Sequence, residues 1–336
     1  MKLFQSIFGG REETHGRYPE SLIEAAIERA VDTTDSRIRL LPGYRKHLRG
    51  PVIHAIDHVI SLVDRIPAPV SADKHEFTSA PALAALYASA ADMLDQFSRD
   101  RSLTDYLASP EGRDAGRITA LVLAERGQRT VFGIDLTGDI IRREVPQVAV
   151  CFTDHNLVDP RASEEEARRH LKRRAFDHLL FLALTRIGEV RIERADLARQ
   201  RDLLRGKLAA FKRGGLTFNP SEGEHPDPAT LESELDSITD QLASLGRDDQ
   251  VLQTHLEIVA ESLGQAEHLL WSEPLTLFID PMNIERTPHD PAARRIDFEE
   301  LHNAREQRLV MQLVSFSPSE LPAREDLVAA AERYLY

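Results

Sequence analysis

The chain has 336 residues, a hydrophobic content of 42% and a formal net charge of -13 at pH 7. Its size is enough for one large or two ordinary cores, whereas its negative charge opposes non-specific binding to nucleic acid, itself a polyanion. The apolar run Leu179–Leu184 is far too short to cross a bilayer, and a single cysteine excludes an internal disulfide. We therefore expect a soluble cytoplasmic protein.

The N-terminal third predicts a short flexible segment followed by helices. Residues 1–16 contain the Gly9-Gly10 pair, which interrupts any helix that begins before it. Phe4, Ile7 and Phe8 would share one side of a single helical turn, so attachment to a membrane surface is one alternative function. Residues 17–108 repeat apolar side chains at helical spacing and predict a helical bundle, in which Pro81 to Arg99 forms one helix.

Two segments far apart in sequence have the residue pattern of β-strands. In 117–160, three short antiparallel strands are expected at Ile118–Glu125, Thr130–Leu136 and Val148–Thr153, because the turn signals Arg126-Gly127 and Gly138-Asp139 separate β-branched and apolar runs. The same pattern returns in 274–322, at Leu275–Asp280, Arg295–Leu301 and Leu309–Phe316. We expect an α+β, mainly α fold, with one small antiparallel β-rich domain built from 117–160 and 274–322 and a C-terminal helix at 324–336.

Between these halves, 163–273 predicts a long antiparallel coiled-coil hairpin. Ser163 and Glu166 form a capping box that begins the first helix. Alternating steps of four and three residues from Leu180 to Phe211 meet eight apolar residues in ten, and the same steps from Leu231 to Leu270 meet eleven in twelve. A period of 3.5 kept over this length is typical of coiled-coil packing.

Charge and register favour pairing of the two helices within one chain. Ser163–Arg213 has 14 basic and 8 acidic residues, whereas Pro228–Glu273 has 1 basic and 10 acidic residues, so the helices attract each other. If Phe211 lies opposite Leu231, the seam-breaking charges Arg194 and Asp249 meet in one layer. The connecting tip loop, 212–227, contains Leu216 and Phe218, which are candidates for contact with a partner.

Residues that could carry chemistry are few. Asp135, Asp139, Asp154, His155 and Asp159 fall near the ends of the expected strands, where acids and histidine can bind a divalent metal or serve acid–base catalysis; acids there also make turns. His54 and His58 lie four residues apart on an expected helix, as two metal ligands would, although HAIDH is not the zinc-protease pattern. No cofactor-binding motif is present, and no cofactor is predicted.

The leading hypothesis is a non-enzymatic scaffold or adaptor that uses the coiled-coil arm to bind a protein partner, because a long arm adds little to a compact core. The alternatives are a metal-dependent, hydrolase-like enzyme centred on Asp154 and His155, and a peripheral membrane protein attached through the N-terminus.

The Arg194–Asp249 layer predicts a double-mutant result. Arg194→Leu alone should destabilise the arm more than Arg194→Leu combined with Asp249→Leu, because the single change leaves one charge in the seam without its partner. Thermal unfolding of the three proteins measures this difference. Equal losses, or a larger loss in the double variant, would contradict the pairing.

Overall fold

The computed structural model describes residues 18–137, 140–212, 228–245, 250–304 and 307–322, with side chains for all of these except 134–142 and 228. The helices are α1 (Glu20–Thr33), α2 (Tyr44–Asp64), α3 (Pro81–Leu86), α4 (Ala90–Arg99), α5 (Arg101–Ala108), α6 (Pro110–Arg113), α7 (Glu164–Lys212), α8 (Pro228–Ser244), α9 (Val251–Gly264) and α10 (Ala266–Leu269). The strands are β1 (Val70–Ser71), β2 (Ile118–Thr137), β3 (Ile140–Arg161), β4 (Leu270–Ile279), β5 (Arg294–Asn303) and β6 (Arg308–Phe316).

The fold class is confirmed. The fold is mixed α+β, its sheet is built from two segments far apart in sequence, and the long helix α7 lies between them. The strand order is β3-β2-β6-β5-β4 with antiparallel neighbours, and the two-residue β1 adds to β6 in parallel.

Four details of the prediction are wrong. The first β segment holds two long strands rather than three short ones, because Arg126 and Gly127 continue β2 and pair with Phe152 and Cys151 instead of turning. The expected helix Pro81–Arg99 is two helices, α3 and α4, since Tyr87 is extended and Ser89 caps α4. The return helix is divided into α8 and α9. Leu270 and Trp271 belong to β4, where cross-strand pairing replaces the last turn of the coiled coil.

The chain forms two compact units, each from two separate segments. The first unit comprises Met1–Ile56 and Phe176–Ala266, and the second comprises Asp57–Ala175 and Glu267–Tyr336. The unit boundaries therefore fall inside α2 and α7. In the first unit, Arg29 of α1 forms an ion pair with Asp177 of α7.

In the second unit, helices cover both faces of the sheet. On one face, α4 and α5 bring Met93, Phe97 and Leu103 to Val314 and other sheet residues. The rings of Phe97 and Phe316 are 5.0 Å apart. On the other face, Leu171 of α7 packs with Val63, Ile66, Leu121 and Leu313. Burial on both faces explains why this part of β2 reads as a continuous apolar run.

The chain after β4 joins the two edges of the sheet. Asn283 accepts a hydrogen bond at its carbonyl from the Val150 amide of β3, at 2.9 Å, and the Glu285 amide donates to the Val148 carbonyl at 2.8 Å. The next amide, of Arg286, donates to the Phe278 carbonyl of β4 at 2.8 Å. The loop thus pairs with both edge strands and protects edges that would otherwise invite aggregation.

A buried ion pair crosses this sheet. Arg126 of β2 donates from Nε to Glu300 Oε1 of β5 at 2.5 Å and from Nη2 to Oε2 at 3.2 Å. Both side chains are buried, with 12% and 7% exposed. The geometry is bidentate, which is the arrangement in which a buried pair best offsets its loss of hydration.

Arg126→Ala should lower the free energy of unfolding by about 3–5 kcal/mol, because Glu300 would stay buried without its counter-charge. The double variant Arg126→Met with Glu300→Leu should lose less, since no charge is left unpaired. Urea unfolding at neutral pH measures both. A double variant less stable than Arg126→Ala would show that the pair is not the source of the effect.

Candidate functional site

The five acids and histidine predicted near strand ends lie on one hairpin but do not form one site. Asp139 lies outside the described residues, and Asp135 lies within β2 without a described side chain. Asp154 and His155 lie inside β3, whereas Asp159 lies two residues before its last residue, Arg161. His155 and Asp159 are separated by roughly 13 Å along a strand. The described residues include no group of three His, Cys, Asp or Glu side chains that could hold a metal ion, so the metal-dependent alternative stays a prediction.

Asp154 and Asp159 serve the backbone of β3. Both have left-handed φ angles, of 52° and 49°. Each lies at a shift in the β2–β3 register. Asp154 lies between Thr153 and Asn156, which pair with Glu125 and Leu123. Asp159 lies between Val158 and Arg161, which pair with Leu121 and Thr119. Aspartate tolerates this conformation better than most residues, and one type of β-bulge places a residue in it. The acids are therefore explained by strand geometry.

His155 is held neutral beside Tyr87. The two rings are 4.7 Å apart, and burial lowers the pKa of His155 and raises the pKa of Tyr87. Within the described part of the chain, His155 Nε2 is buried and has no hydrogen-bond partner. Because Asp154 is exposed and next to it on the strand, the two do not make an acid–histidine pair.

Asp159 lines an open cleft of about 330 Å³ at the end of β3. It accepts two hydrogen bonds from Arg174, at 2.7 and 3.1 Å. Arg161 lies 5.5 Å from the centre of the Tyr106 ring and donates to the Pro160 carbonyl at 2.6 Å. Both guanidinium groups are thus engaged within the protein, and the cleft has the composition of a polar surface depression.

The two predicted histidine ligands have separate roles. His58 Nε2 lies 2.6 Å from the Leu270 carbonyl oxygen. Because a carbonyl only accepts, Nε2 carries the hydrogen and has no lone pair for a metal. His54 is exposed and belongs to the first unit.

The first unit contains a buried carboxylate that sequence reasoning missed. Asp35, 6% exposed, precedes a 3₁₀ helix (Ser36–Leu40) and accepts from the Arg37 amide at 3.1 Å. Its carboxylate also accepts from the Arg37 guanidinium at 3.0 and 2.8 Å and from Arg191 of α7 at 2.6 Å. His255 Nδ1 of α9 lies 2.7 Å from Oδ2. We call these four residues the Asp35 node.

The charges of the Asp35 node determine its protonation. Hydrogen bonds from Arg37 and His255 hold the pKa of Asp35 well below its usual range. Burial lowers the pKa of His255, which is 1% exposed, and the nearby Arg191 acts in the same direction. A neutral imidazole facing a carboxylate donates from Nδ1. The sequence signal for Asp35 was limited to its being a common helix-capping residue. Nothing in the local sequence indicated that Arg191 and His255 contact it.

The seam expected along α7 is covered in its middle, whereas Phe211, its last expected member, is 41% exposed. Ile187 and Val190 are 0% and 6% exposed, and Leu231 of α8 is 5% exposed. Lys212 Nζ lies 2.9 Å from Glu232 Oε1, and both side chains are more than half exposed. The Phe211–Leu231 layer stays a prediction.

The lower layer of the seam is described in part. Arg194 is half-buried, and its Nη1 donates to the Leu245 carbonyl at 3.5 Å. Asp249, the residue expected opposite Arg194, lies outside the described residues, as do Leu216 and Phe218 of the tip loop, Phe4, Ile7 and Phe8, and the C-terminal segment 324–336. The Arg194–Asp249 pair stays a prediction.

A second row of apolar and small residues runs along α7, roughly opposite the seam. It recurs at steps of three, four and four residues, which an α-helix places in a nearly straight line because eleven residues make about three turns. We call it the outward stripe; its members are Phe181, Leu184, Gly188, Ile192, Ala195, Leu203, Gly206 and Ala210, with the charged Arg199 interrupting the row. The 3.5-residue period of the seam does not include this row, although its spacing is readable in the sequence.

The outward stripe exposes large apolar side chains. Ile192, Leu203 and Phe181 are 66%, 59% and 49% exposed. A Cβ atom added at Gly188 or Gly206 would meet no described atom within 4 Å. Glycine inside a helix costs about 1 kcal/mol relative to alanine, and packing within the described chain gives no reason for it at these positions. The stripe is therefore an apolar row that the described residues leave partly uncovered.

No family model, curated protein or solved structure matches this chain. Among the described helices, none combines the length and the hydropathy needed to cross a membrane. The candidate site consequently rests on the geometry of the first unit: the seam, the Asp35 node and the outward stripe.

The depressed pKa of His255 predicts a pH effect on stability. The folded state favours neutral imidazole, so its contribution is complete above the unfolded pKa of about 6.5 and is lost as the pH falls toward the lower folded pKa. Wild type should therefore lose thermal stability between pH 7.5 and pH 5.5, approximately the titration range of histidine.

His255→Asn is the matched variant, because the Asn amide can donate to Asp35 but does not titrate in this range. Its loss of melting temperature over the same range should be smaller than that of wild type. The Asp35 carboxylate stays ionised throughout. Parallel pH dependences in the two proteins would contradict the role given to His255.

Proposed function

We propose that this protein is a non-enzymatic scaffold or adaptor whose helical hairpin, formed by α7 with α8 and α9, offers a surface for protein–protein contact. The observation that carries the proposal is the outward stripe. Full burial of a Leu, Ile or Phe side chain contributes about 1.5–3 kcal/mol. Burial of Ile192 and Leu203, which are 66% and 59% exposed among the described residues, would therefore add a favourable free energy to contact with another protein.

The stripe is displayed on a rigid support. α7 has 49 residues, which correspond to about 73 Å of helix. Its opposite face is packed in the seam, and Arg191, close to Ile192 on the helix, is tied to the buried Asp35 at 2.6 Å. A preformed surface of this kind loses little conformational entropy when a partner binds.

The composition of the stripe also fits recognition of a helix. Residues at steps of three and four present a single apolar line, which is the pattern by which helices dock against one another. Gly188 and Ala195 lie between the large residues, and Gly206 and Ala210 follow Leu203; small residues allow two helix axes to come close together. The partner surface is therefore expected to be helical.

Recovery of partners from the native cell tests the proposal. The protein is expressed there with a tag, cross-linked and purified, and co-purifying proteins, including a differently tagged copy of the chain, are quantified. Ile192→Glu with Leu203→Glu should reduce recovery of specific partners at least tenfold, since central apolar contacts dominate interface free energies.

Gln200→Glu with Thr230→Glu is the matched control, because it also adds two negative charges at exposed positions of α7 and α8. It should retain the partners. Unfolding followed by circular dichroism should give both variants a free energy of unfolding within about 0.5 kcal/mol of wild type, because substitutions at exposed positions change stability little. Full recovery of partners by the stripe variant would refute the proposed surface.

A further inference from the structure

We infer that the contact between His255 of α9 and Asp35 is a latch that protonation opens, so that mild acidification releases α9 while the rest of the chain stays folded. We call this contact the α9 latch. It includes no residue of the outward stripe and does not depend on the proposed function. The ligand that the latch recognises is a proton on the imidazole ring.

The α9 latch is the polar contact of a helix that is otherwise held by apolar packing. Among the described residues, one side-chain hydrogen bond joins α9 to another element, and it links His255 Nδ1 and Asp35 Oδ2 at 2.7 Å. The other described side-chain hydrogen bonds of α9 stay within the helix or reach its N-cap residue. Leu256, Val259 and Leu263 are 2%, 0% and 0% exposed. Release of α9 therefore uncovers three apolar side chains that the closed form hides.

Of the elements that meet at the Asp35 node, α9 is the one least able to keep its structure alone. It has 14 residues, and its N-cap residue, Gln250, makes no side-chain capping hydrogen bond. Isolated helices of this length are marginally stable in water, and a missing cap leaves amides of the first turn without a side-chain acceptor. By contrast, α7 has 49 residues, and Arg37 is tied to Asp35 through its backbone amide. When the node is destabilised, α9 is therefore the element that leaves.

Acidification places a new charge in the interior of the first unit. A carboxylate only accepts, so Nδ1 of neutral His255 carries the hydrogen that Asp35 receives, and a second proton must go to Nε2. His255 is 1% exposed. The imidazolium therefore forms where water does not reach it, and a buried charge is costly unless its surroundings compensate it.

The charges around His255 do not compensate a further cation. The charged groups that face it among the described residues are Asp35 and Arg37 beside the 3₁₀ helix and Arg191 of α7. Two guanidinium groups thus already share one carboxylate, and protonation adds a third cation. Burial lowers the pKa of His255 most, and the two arginines lower it further, whereas Asp35 alone raises it.

Protonation therefore favours the open form. The folded pKa of His255 lies below the unfolded value of about 6.5, so the stabilising contribution of the neutral ring is complete above that pH and is lost as the pH falls toward the folded pKa. With α9 released, the imidazolium reaches water while Arg37 and Arg191 keep their contacts with Asp35. The opening equilibrium constant should rise several-fold between pH 7.5 and pH 5.5, up to a limit of about tenfold set by the unfolded pKa.

Hydrogen–deuterium exchange of the full chain, followed by mass spectrometry at pH 7.5 and pH 5.5, tests the latch. Each rate is corrected for the intrinsic pH dependence of amide exchange. The protection factors of amides in α9 should fall several-fold at the lower pH, because exchange of a covered helix reports its opening equilibrium. Amides of α4 and α5, which lie in the second unit, should keep their protection, since the opening is local.

Three variants identify the group that responds. His255→Asn should remove the pH response of α9, because its amide can donate to Asp35 but does not titrate in this range. Arg191→Gln leaves the imidazole in place and should reduce the response, since one cation that opposes protonation is gone. Arg186→Gln is the matched control. It also removes a partly exposed arginine of α7, 63% exposed and paired with Glu189, and it should keep the wild-type response.

Equal protection of α9 at the two pH values in the wild-type chain would overturn the inference. Loss of protection in α4 and α5 together with α9 would do the same, because it would mean unfolding of the whole chain. A full wild-type response in Arg191→Gln or in His255→Asn would show that the titrating group lies elsewhere. None of these outcomes uses the stripe variant, so failure of the latch and failure of the proposed function are seen separately.

Discussion

The carboxylate of Asp35 is the contact on which the arrangement of the first unit depends. It is buried, and it joins the 3₁₀ helix after α1, the middle of α7 and the start of α9 through Arg37, Arg191 and His255. Removal of a partner from such a group would leave a buried charge with less compensation, which penalises other arrangements. The contact therefore acts as a positional constraint as well as a source of stability.

The constraint extends to the face that α7 presents outward. Successive residues of an α-helix are about 100° apart, and Arg191 lies between Val190 of the seam and Ile192 of the outward stripe. With Arg191 held at Asp35, Val190 is 6% exposed and Ile192 is 66% exposed. A rotation of α7 by two residues, about 200°, would turn Ile192 to the side that Val190 now occupies. The buried ion cluster and the exposed apolar row are thus two consequences of one helix orientation.

Several features of the fold followed from local pattern. Ser163 accepts from the Glu166 amide at 3.3 Å and begins α7 as its capping sequence indicated. The strands expected at Leu275, Arg295 and Leu309 are present, because alternation of buried and exposed side chains is a property of the strand itself. The apolar period along α7 could be read from the sequence because it, too, is a property of one continuous segment. Local patterns failed at Arg126-Gly127, where pairing with β3 continues the strand through a turn signal.

The candidate chemistry shows the same limit. Asp154 and Asp159 were read as strand-end acids, yet they occupy bulges in β3, and a bulge depends on the register of two strands rather than on the residues of one. The stripe on α7 was present in the sequence as a repeat of eleven. The exposure of the stripe could not be predicted from the sequence, because the period of an apolar row does not indicate which of two apolar faces of a helix is covered.

The sequence by itself determined the α+β class, the long helix between two β segments and the period of the seam, since these depend on residues close together in the chain. Only the tertiary structure decided that Asp35, Arg191 and His255 meet, that the loop after β4 joins both sheet edges, and that the outward stripe is exposed. These features depend on contacts between residues tens to hundreds of positions apart, whose pairing no local spacing records.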